Sequence, residues 1–331
     1  ASSDYPLRDV YKRQLLAATV NDLLAGSQRG LDQRDAAQAE LAALARDLER
    51  RVEQRTAELE REKQGVERAH GELQKANRHI SDGIRYASRI QTALLPESSS
   101  LDGVVADFTV GWRPFDIVGG DYYWTGRFGD TGIVAVMDCT GHGVPGAFMT
   151  AVVSSILARI LHHHGHDDPA LILSLLNGLV KSALRQDRGD APADDGLDAA
   201  ICIIDRARGL VSFAGANLPL TVWSDGAMRV VKGDRRSQGD RDSPAAAGFT
   251  RHDLPLTADS VFYHYTDGVP DQMGGPSRVL FGRRRLQEAL ARNATLPLDQ
   301  QRDRLLAELD AWRGDQPRRD DMTFVAFRPL A

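Results

Sequence analysis

Between Leu15 and Leu95 the chain is almost free of helix breakers, and the only proline before Pro96 is Pro6. Val52, Leu59, Val66, Leu73 and Ile80 recur at seven-residue intervals, and Ala87 and Leu94 extend the series. Ala69, Ala76 and Ile90 fall three positions after members of it, the spacing of a two-stranded seam. Glu and Arg fill most other positions, as on a solvated helix face. Upstream, Leu44, Leu48 and Val52 are spaced four and four, a stutter that locally unwinds a supercoil. The series is longer than a helix within one globular domain requires. It predicts a helical linker over 15–95 that forms a parallel, dimeric coiled coil; the alternative is one amphipathic helix packed on its own domain. Residues 1–14 carry no such pattern and are expected to be foreign or disordered.

Pro96 and the polar run Glu97-Ser98-Ser99-Ser100 end this helix. Short β-like runs follow at Phe108 to Trp112, Thr131 to Met137, Ala199 to Asp205, Leu210 to Ala214, Leu220 to Trp223, Ser260 to Thr266 and Thr323 to Phe327. Helical stretches are expected at Pro145 to His163, Asp168 to Gln186, Arg283 to Arg292 and Asp299 to Arg313. Strands in runs and helices in runs predict an α+β layered domain over 96–331 rather than alternating βαβ units. The Asp-, Gly- and Pro-rich stretch from Asp187 to Gly196 is expected to be a mobile loop.

A length of 331 residues fits one enzyme-sized domain plus an additional part. A net charge of -5 leaves no basic excess to neutralise phosphates, which argues against a nucleic-acid binder. Cys139 and Cys202 are too few for a disulfide framework and suit a reducing cytoplasm. No run of about 18 apolar residues stands out, so no membrane contact is expected. The chain opens on Ala1 without a signal peptide pattern and reads as the cytoplasmic part of a larger sensor protein.

The candidate chemistry lies in aspartates placed where the chain turns. Asp121 follows Gly119-Gly120, Asp138 ends an apolar run, Asp267 follows Tyr265-Thr266, and Asp320-Asp321 precede the last strand. A single Asp-Gly is ordinarily a turn. Several ionised carboxylates at the ends of apolar strands are costly unless something pairs with them. Oxygen-only ligands point to Mg²⁺ or Mn²⁺ rather than Zn²⁺.

Phe115-Asp116-Ile117-Val118-Gly119-Gly120-Asp121-Tyr122, Asp138-Cys139-Thr140-Gly141-His142-Gly143, Tyr265-Thr266-Asp267-Gly268 and Asp320-Asp321-Met322-Thr323 resemble, in that order, the metal motifs of the PPM (type 2C) serine/threonine phosphatases. The likeness is to the bacterial branch of the stage II sporulation phosphatase and RsbU, with SiaA-like relatives nearer still. Ala214-Gly215-Ala216-Asn217-Leu218-Pro219-Leu220 and Phe281-Gly282 add to it. The resemblance implies an αββα sandwich phosphatase domain preceded by the long coiled-coil helix. It implies two divalent cations, with Asp138 bridging both, Asp121 and the Cys139 backbone carbonyl on one, and Asp267 and Asp320 on the other. Asp321 then stands behind the ligands. His142 is at a different offset from the histidine that serves as general acid in eukaryotic relatives; it is a candidate acid or a structural residue at the start of a helix. The phosphate-gripping arginine of those relatives is replaced near Ile117.

The implied reaction is in-line attack of water on phosphoserine or phosphothreonine, with no covalent intermediate. The implied substrate is a phosphorylated STAS-domain anti-sigma-factor antagonist. A pseudophosphatase scaffold binding the same partner is the alternative, against which the survival of all the aspartate positions argues. A nucleotide-directed two-metal enzyme has no supporting phosphate loop. The segment from Ile84 to Pro96 resembles the switch helix of this branch, so Ile84, Ala87, Ile90 and Leu94 are candidate regulatory residues. His162, His163, His164 and His166 read as a solvated helix C-terminus. His264 reads as packing or as a residue standing behind the site, and Gly119-Gly120-Asp121 lacks the remainder of a GGDEF cyclase signature.

Overall fold

The breaker-free stretch folds as one helix, α1 (Tyr5–Leu94), 90 residues long, in the computed structural model. Residues 5–97, 99–187, 194–241, 243–244, 246–257 and 259–330 are described. Helix already runs through residues 5–14. Pro6 lies in the first turn, where its missing N–H costs nothing, and no further proline follows it within the helix. Residues 1–4, and most of the expected mobile loop at 187–196, lie outside the described residues. The chain divides into two compact units, Ala1–His79 and Ile80–Ala331. In the first, Val52, Leu59, Val66 and Leu73 are 56–68% exposed, so the seven-residue series presents an uncovered apolar line.

The second unit takes in the last turns of α1. Its elements are β1 (Val105–Arg113), β2 (Asp121–Phe128), β3 (Thr131–Cys139), α2 (Gly143–His163), α3 (Pro169–Ala183), β4 (Leu197–Asp205), β5 (Leu210–Ala216), β6 (Leu220–Ser224), β7 (Ala227–Val231), β8 (His252–Pro255), β9 (Val261–Tyr265), β10 (Met273–Gly274), β11 (Val279–Leu280), α4 (Gly282–Asn293), α5 (Leu298–Arg313) and β12 (Met322–Pro329). Two five-stranded antiparallel sheets form, in the orders β1-β12-β9-β6-β7 and β2-β3-β4-β5-β8. Helices α2 and α3 cover the second sheet, and α4 and α5 cover the first. This is the expected αββα sandwich.

Strand β3 shows why its sequence is continuously apolar. Ile133, Ala135 and Met137 pack under α2 and α3, while Val134 and Val136 face the other sheet beside Phe262, Val325 and Phe327. A strand buried on both faces loses the apolar–polar alternation of a half-exposed one. The first sheet's outer face, with Tyr263, Phe324 and Ala326, packs on Leu286, Leu290, Leu305 and Leu309 of the helices.

The strands missed in the sequence are β2, β7, β8 and the β10–β11 pair. Strand β2 was masked by Gly119-Gly120, which reads as a turn, and the others are short or strongly polar. Helix α2 was also underread: it has 21 residues, and an 18-residue stretch of it reaches a mean hydropathy of 1.7, long and apolar enough to cross a bilayer. In the sandwich, Val153, Leu157 and Ile160 are fully buried, as a helix covering a sheet requires. His162 and His163 occupy its last turn and His164 its C-cap, all exposed, as expected. His264 is buried with Nε2 3.2 Å from the Cys202 Sγ across the sheets; burial pushes its pKa down to about 3, so it is a neutral packing residue.

Candidate metal centre

Pairing of β2 with β3 sets Asp121 opposite Asp138, and pairing of β3 with β4 sets Asp138 opposite Asp198. Three carboxylates therefore stand side by side at one end of the second sheet, an arrangement in which like charges repel. From the first sheet, Asp267 follows β9 and Asp320 precedes β12, its antiparallel neighbour. Asp138, Cys139, His142, Asp198, Asp267 and Asp320 line one cavity of about 330 Å³, a size that admits a phosphorylated side chain with ions.

Asp121 lies behind this cavity and is only 2% exposed. Its Oδ2 accepts hydrogen bonds from Thr266 Oγ1 and Thr323 Oγ1, each at 2.7 Å, so the first sheet holds a carboxylate of the second. Its Oδ1 is buried without a hydrogen-bond partner. Among the described residues no Lys or Arg forms an ion pair with Asp121, Asp138, Asp198, Asp267 or Asp320. Burial, then Asp121 and Asp267, push the Asp138 pKa up to about 10. Burial also drives Asp121 up to about 8, against the pull of its two threonine donors. Asp267 is raised by burial and by Asp320. Such a cluster ionises fully only with a positive partner. The orphaned Oδ1 and the all-oxygen donor set fit hard divalent cations.

The turn carrying Asp121 is pinned from two directions. The Asp321 carboxylate accepts from Phe115 N at 2.6 Å and from Gly120 N at 2.7 Å, and Asp321 does not line the cavity. A Cβ on Gly119 would collide with that carboxylate, and one on Gly120 with the carbonyls of Gly141 and Cys139, so only glycine permits the approach. From the other side, Gln91 near the end of α1 donates Nε2 to Gly119 O at 2.6 Å and to Thr150 Oγ1 at 3.1 Å. Its Oε1 accepts from Gly119 N at 3.2 Å, and Tyr122 Oη donates to Leu94 O at 3.1 Å.

The candidate residues thus separate by place. Asp138, Cys139, Asp267, Asp320 and His142 line the cavity, and Asp121 lies beneath it. The Cys139 thiol is buried in the core under α2, and burial pushes its pKa well up, so it is no nucleophile. His142 is the N-cap of α2 but makes no side-chain cap bond; its ring rests 4.6 Å from Phe115. Ala87, Ile90 and Leu94 lie along an apolar groove against Val144, Ala147 and Phe148 of α2, and Ile84 is half-buried nearby on the same helix.

Two residues were missed. Asp198 is held by Asn217 Nδ2 at 2.9 Å and Ser237 Oγ at 2.7 Å; its signal was a lone acid opening an apolar strand. Gln91 is 3% exposed, and its signal was a polar residue on the apolar face between Ala87 and Leu94.

Comparison with known proteins agrees with this fold. The family model described as stage II sporulation protein E (SpoIIE) matches residues 129–329, a span that includes Asp138, Asp267 and Asp320. The SiaA PP2C domain of Pseudomonas aeruginosa is 35% identical, with a TM-score of 0.69 over 76% of this chain and 98% of that one. The SpoIIE phosphatase domain with a fragment of its regulatory domain, from Bacillus subtilis, is 18% identical with a TM-score of 0.53, over 68% of this chain and 64% of that one. The catalytic domain of the serine/threonine protein phosphatase PstP in complex with two manganese ions is 15% identical with a TM-score of 0.51, over 69% of this chain and all of that one. A search of curated proteins found no match.

Proposed function

Since this chain belongs to the SpoIIE family of PP2C-type, metal-dependent serine/threonine phosphatases, we propose that it is the output phosphatase of a sensor protein and acts on a phosphorylated regulatory protein. The observation that carries this reading is the uncompensated carboxylate cluster, with the orphaned Oδ1 of Asp121 at its base. In our assignment Asp138, Asp121 and the Cys139 carbonyl would hold one cation, and Asp138, Asp267 and Asp320 would hold the other. Two divalent ions, Mn²⁺ or Mg²⁺ as PstP carries manganese, supply Lewis acidity and an activated water at neutral pH. Thr266 and Thr323 aim Asp121 by donating to one of its oxygens, and they oppose, without cancelling, the burial that raises its pKa. Asp321 fixes the glycine turn through two backbone N–H groups and stays out of the cavity. Asp198, held by Asn217 and Ser237, keeps an acidic wall opposite Asp267. His142 borders the cavity where a leaving serine or threonine oxygen would need a proton, and is the candidate donor.

A STAS-domain protein is the proposed substrate class, and the cytoplasm is the proposed location. The exposed seven-residue line of α1 supports a parallel homodimer through the helix. Gln91 supports a regulatory role for the same helix, since one side chain connects its end to the backbone beside Asp121. The test is turnover of phosphoserine proteins, STAS domains among them, by the full chain with Mn²⁺, after EDTA treatment, and in Asp138→Asn. Activity is expected with Mn²⁺ or Mg²⁺, little with Zn²⁺, and none in EDTA or in a folded Asp138→Asn protein. Full turnover by metal-free protein or by Asp138→Asn would overturn the assignment.

A further inference from the structure

The cavity does not end at its carboxylates. Asp198 and Asp267 also line a second depression shared with Asn217, Arg235 and Arg283, which continues into a third that adds Lys232. A trough thus leads from the acids past Tyr265 towards the edge strand β7 and the start of α4. Its far part is basic. Lys232, Arg235 and Arg283 are exposed, and among the described residues none of the three makes an ion pair or a side-chain hydrogen bond. Arg292 and Arg302 of the same unit, by contrast, are tied to Glu308 and Asp299, each at 2.8 Å. The trough therefore changes sign along its length, acidic beside Asp198, Asp267 and Asp271 and basic at Lys232, Arg235 and Arg283, which have no ion-pair partner among the described residues.

We infer that this basic arm is a docking subsite for acidic residues flanking the phosphorylated side chain of a protein substrate. The inference rests on the phosphoprotein reading above. An extended peptide with its phosphate in the cavity could follow this trough on the Asp198–Asp267 side, where its carboxylates would meet Lys232, Arg235 and Arg283. A basic flank would be repelled there. Single exposed ion pairs contribute little, but three acting on one peptide in a shared groove add up, and salt should weaken them.

The experiment compares the full Mn²⁺-loaded chain with Arg235→Ala/Arg283→Ala and Arg283→Glu. Substrates are phosphoserine peptides of equal length with acidic, neutral or basic flanks, and p-nitrophenyl phosphate as a flankless reference. Wild type should prefer the acidic peptide over the basic one by about 10-fold in kcat/KM at low ionic strength, with the preference shrinking at about 0.5 M salt. In the double variant the preference should fall to about 2-fold through KM, with p-nitrophenyl phosphate turnover unchanged, and Arg283→Glu should favour the basic peptide. Equal use of all three peptides by wild type, or a preference that survives both variants, overturns the subsite alone. Hydrolysis of p-nitrophenyl phosphate with no turnover of any phosphopeptide overturns the phosphoprotein reading, and the subsite with it.

Discussion

Replacing Gln91 by Leu separates the end of α1 from the turn that carries Asp121 while keeping a side chain of similar bulk. Gln91 makes three hydrogen bonds, at 2.6, 3.1 and 3.2 Å, two of them to the backbone of Gly119, which is buried. Leu restores none of them. Each buried backbone group left without a partner costs about 1–3 kcal/mol, so the docked arrangement loses about 2–6 kcal/mol before relaxation. A residual loss of about 3 kcal/mol corresponds to roughly 100-fold in an equilibrium constant. If docking of the helix and occupancy of the metal site are linked, that loss appears in metal affinity. Titrating Mn²⁺ against p-nitrophenyl phosphate hydrolysis should show the half-saturating concentration raised by about 10- to 100-fold, with the rate at saturation within about threefold of wild type. Urea unfolding in parallel should report a lower midpoint in the metal-free protein. A Mn²⁺ midpoint equal to wild type would refute the coupling. So would a rate that stays low at saturating metal, because the defect would then lie in the chemistry.

Asp121→Asn and Asp267→Asn should each lose activity but recover part of it at high Mn²⁺, because each carboxylate is assigned to one ion; a loss as complete as that of Asp138→Asn would argue against this division. In metal-free protein the raised pKa values of Asp121, about 8, and Asp138, about 10, mean that the folded state holds protons the unfolded state has released above the ordinary value of 3.8. Stability should therefore fall as pH rises through that window, and stabilisation by Mg²⁺ should grow between about pH 6 and about pH 8 as the ions take the place of protons; a thermal midpoint in EDTA that is flat over this range would contradict the cluster's electrostatics. Ile90 is 50% exposed in the groove against α2, so Ile90→Asp should leave the domain folded while shifting the Mn²⁺ dependence. Deleting residues 1–80 should weaken dimerisation in analytical ultracentrifugation, and an unchanged sedimentation profile would remove the coiled-coil reading.

The sequence by itself determined whatever is local or periodic. The seven-residue series and the absence of breakers specify α1 because a helix repeats its faces along the chain without help from elsewhere. Pro96 marks where that regularity stops, and apolar runs such as Ile133 to Met137 declare strands buried on both faces. The glycine–aspartate motifs were legible because tight backbone approach and cation binding leave a narrow choice of residue types. What only the tertiary structure decided is which of many chemically identical side chains meet. Asp198 differs from any other aspartate only in standing opposite Asp138 across β3 and β4. Asp321 and Asp320 are adjacent in sequence, yet one lines the cavity and the other turns to the N–H groups of Phe115 and Gly120. Gln91 is one polar residue in a polar helix until packing against α2 and the glycine turn gives its amide three partners. Strand register and helix docking bring together residues far apart along the chain, and the energy of those contacts leaves no periodic trace in the sequence.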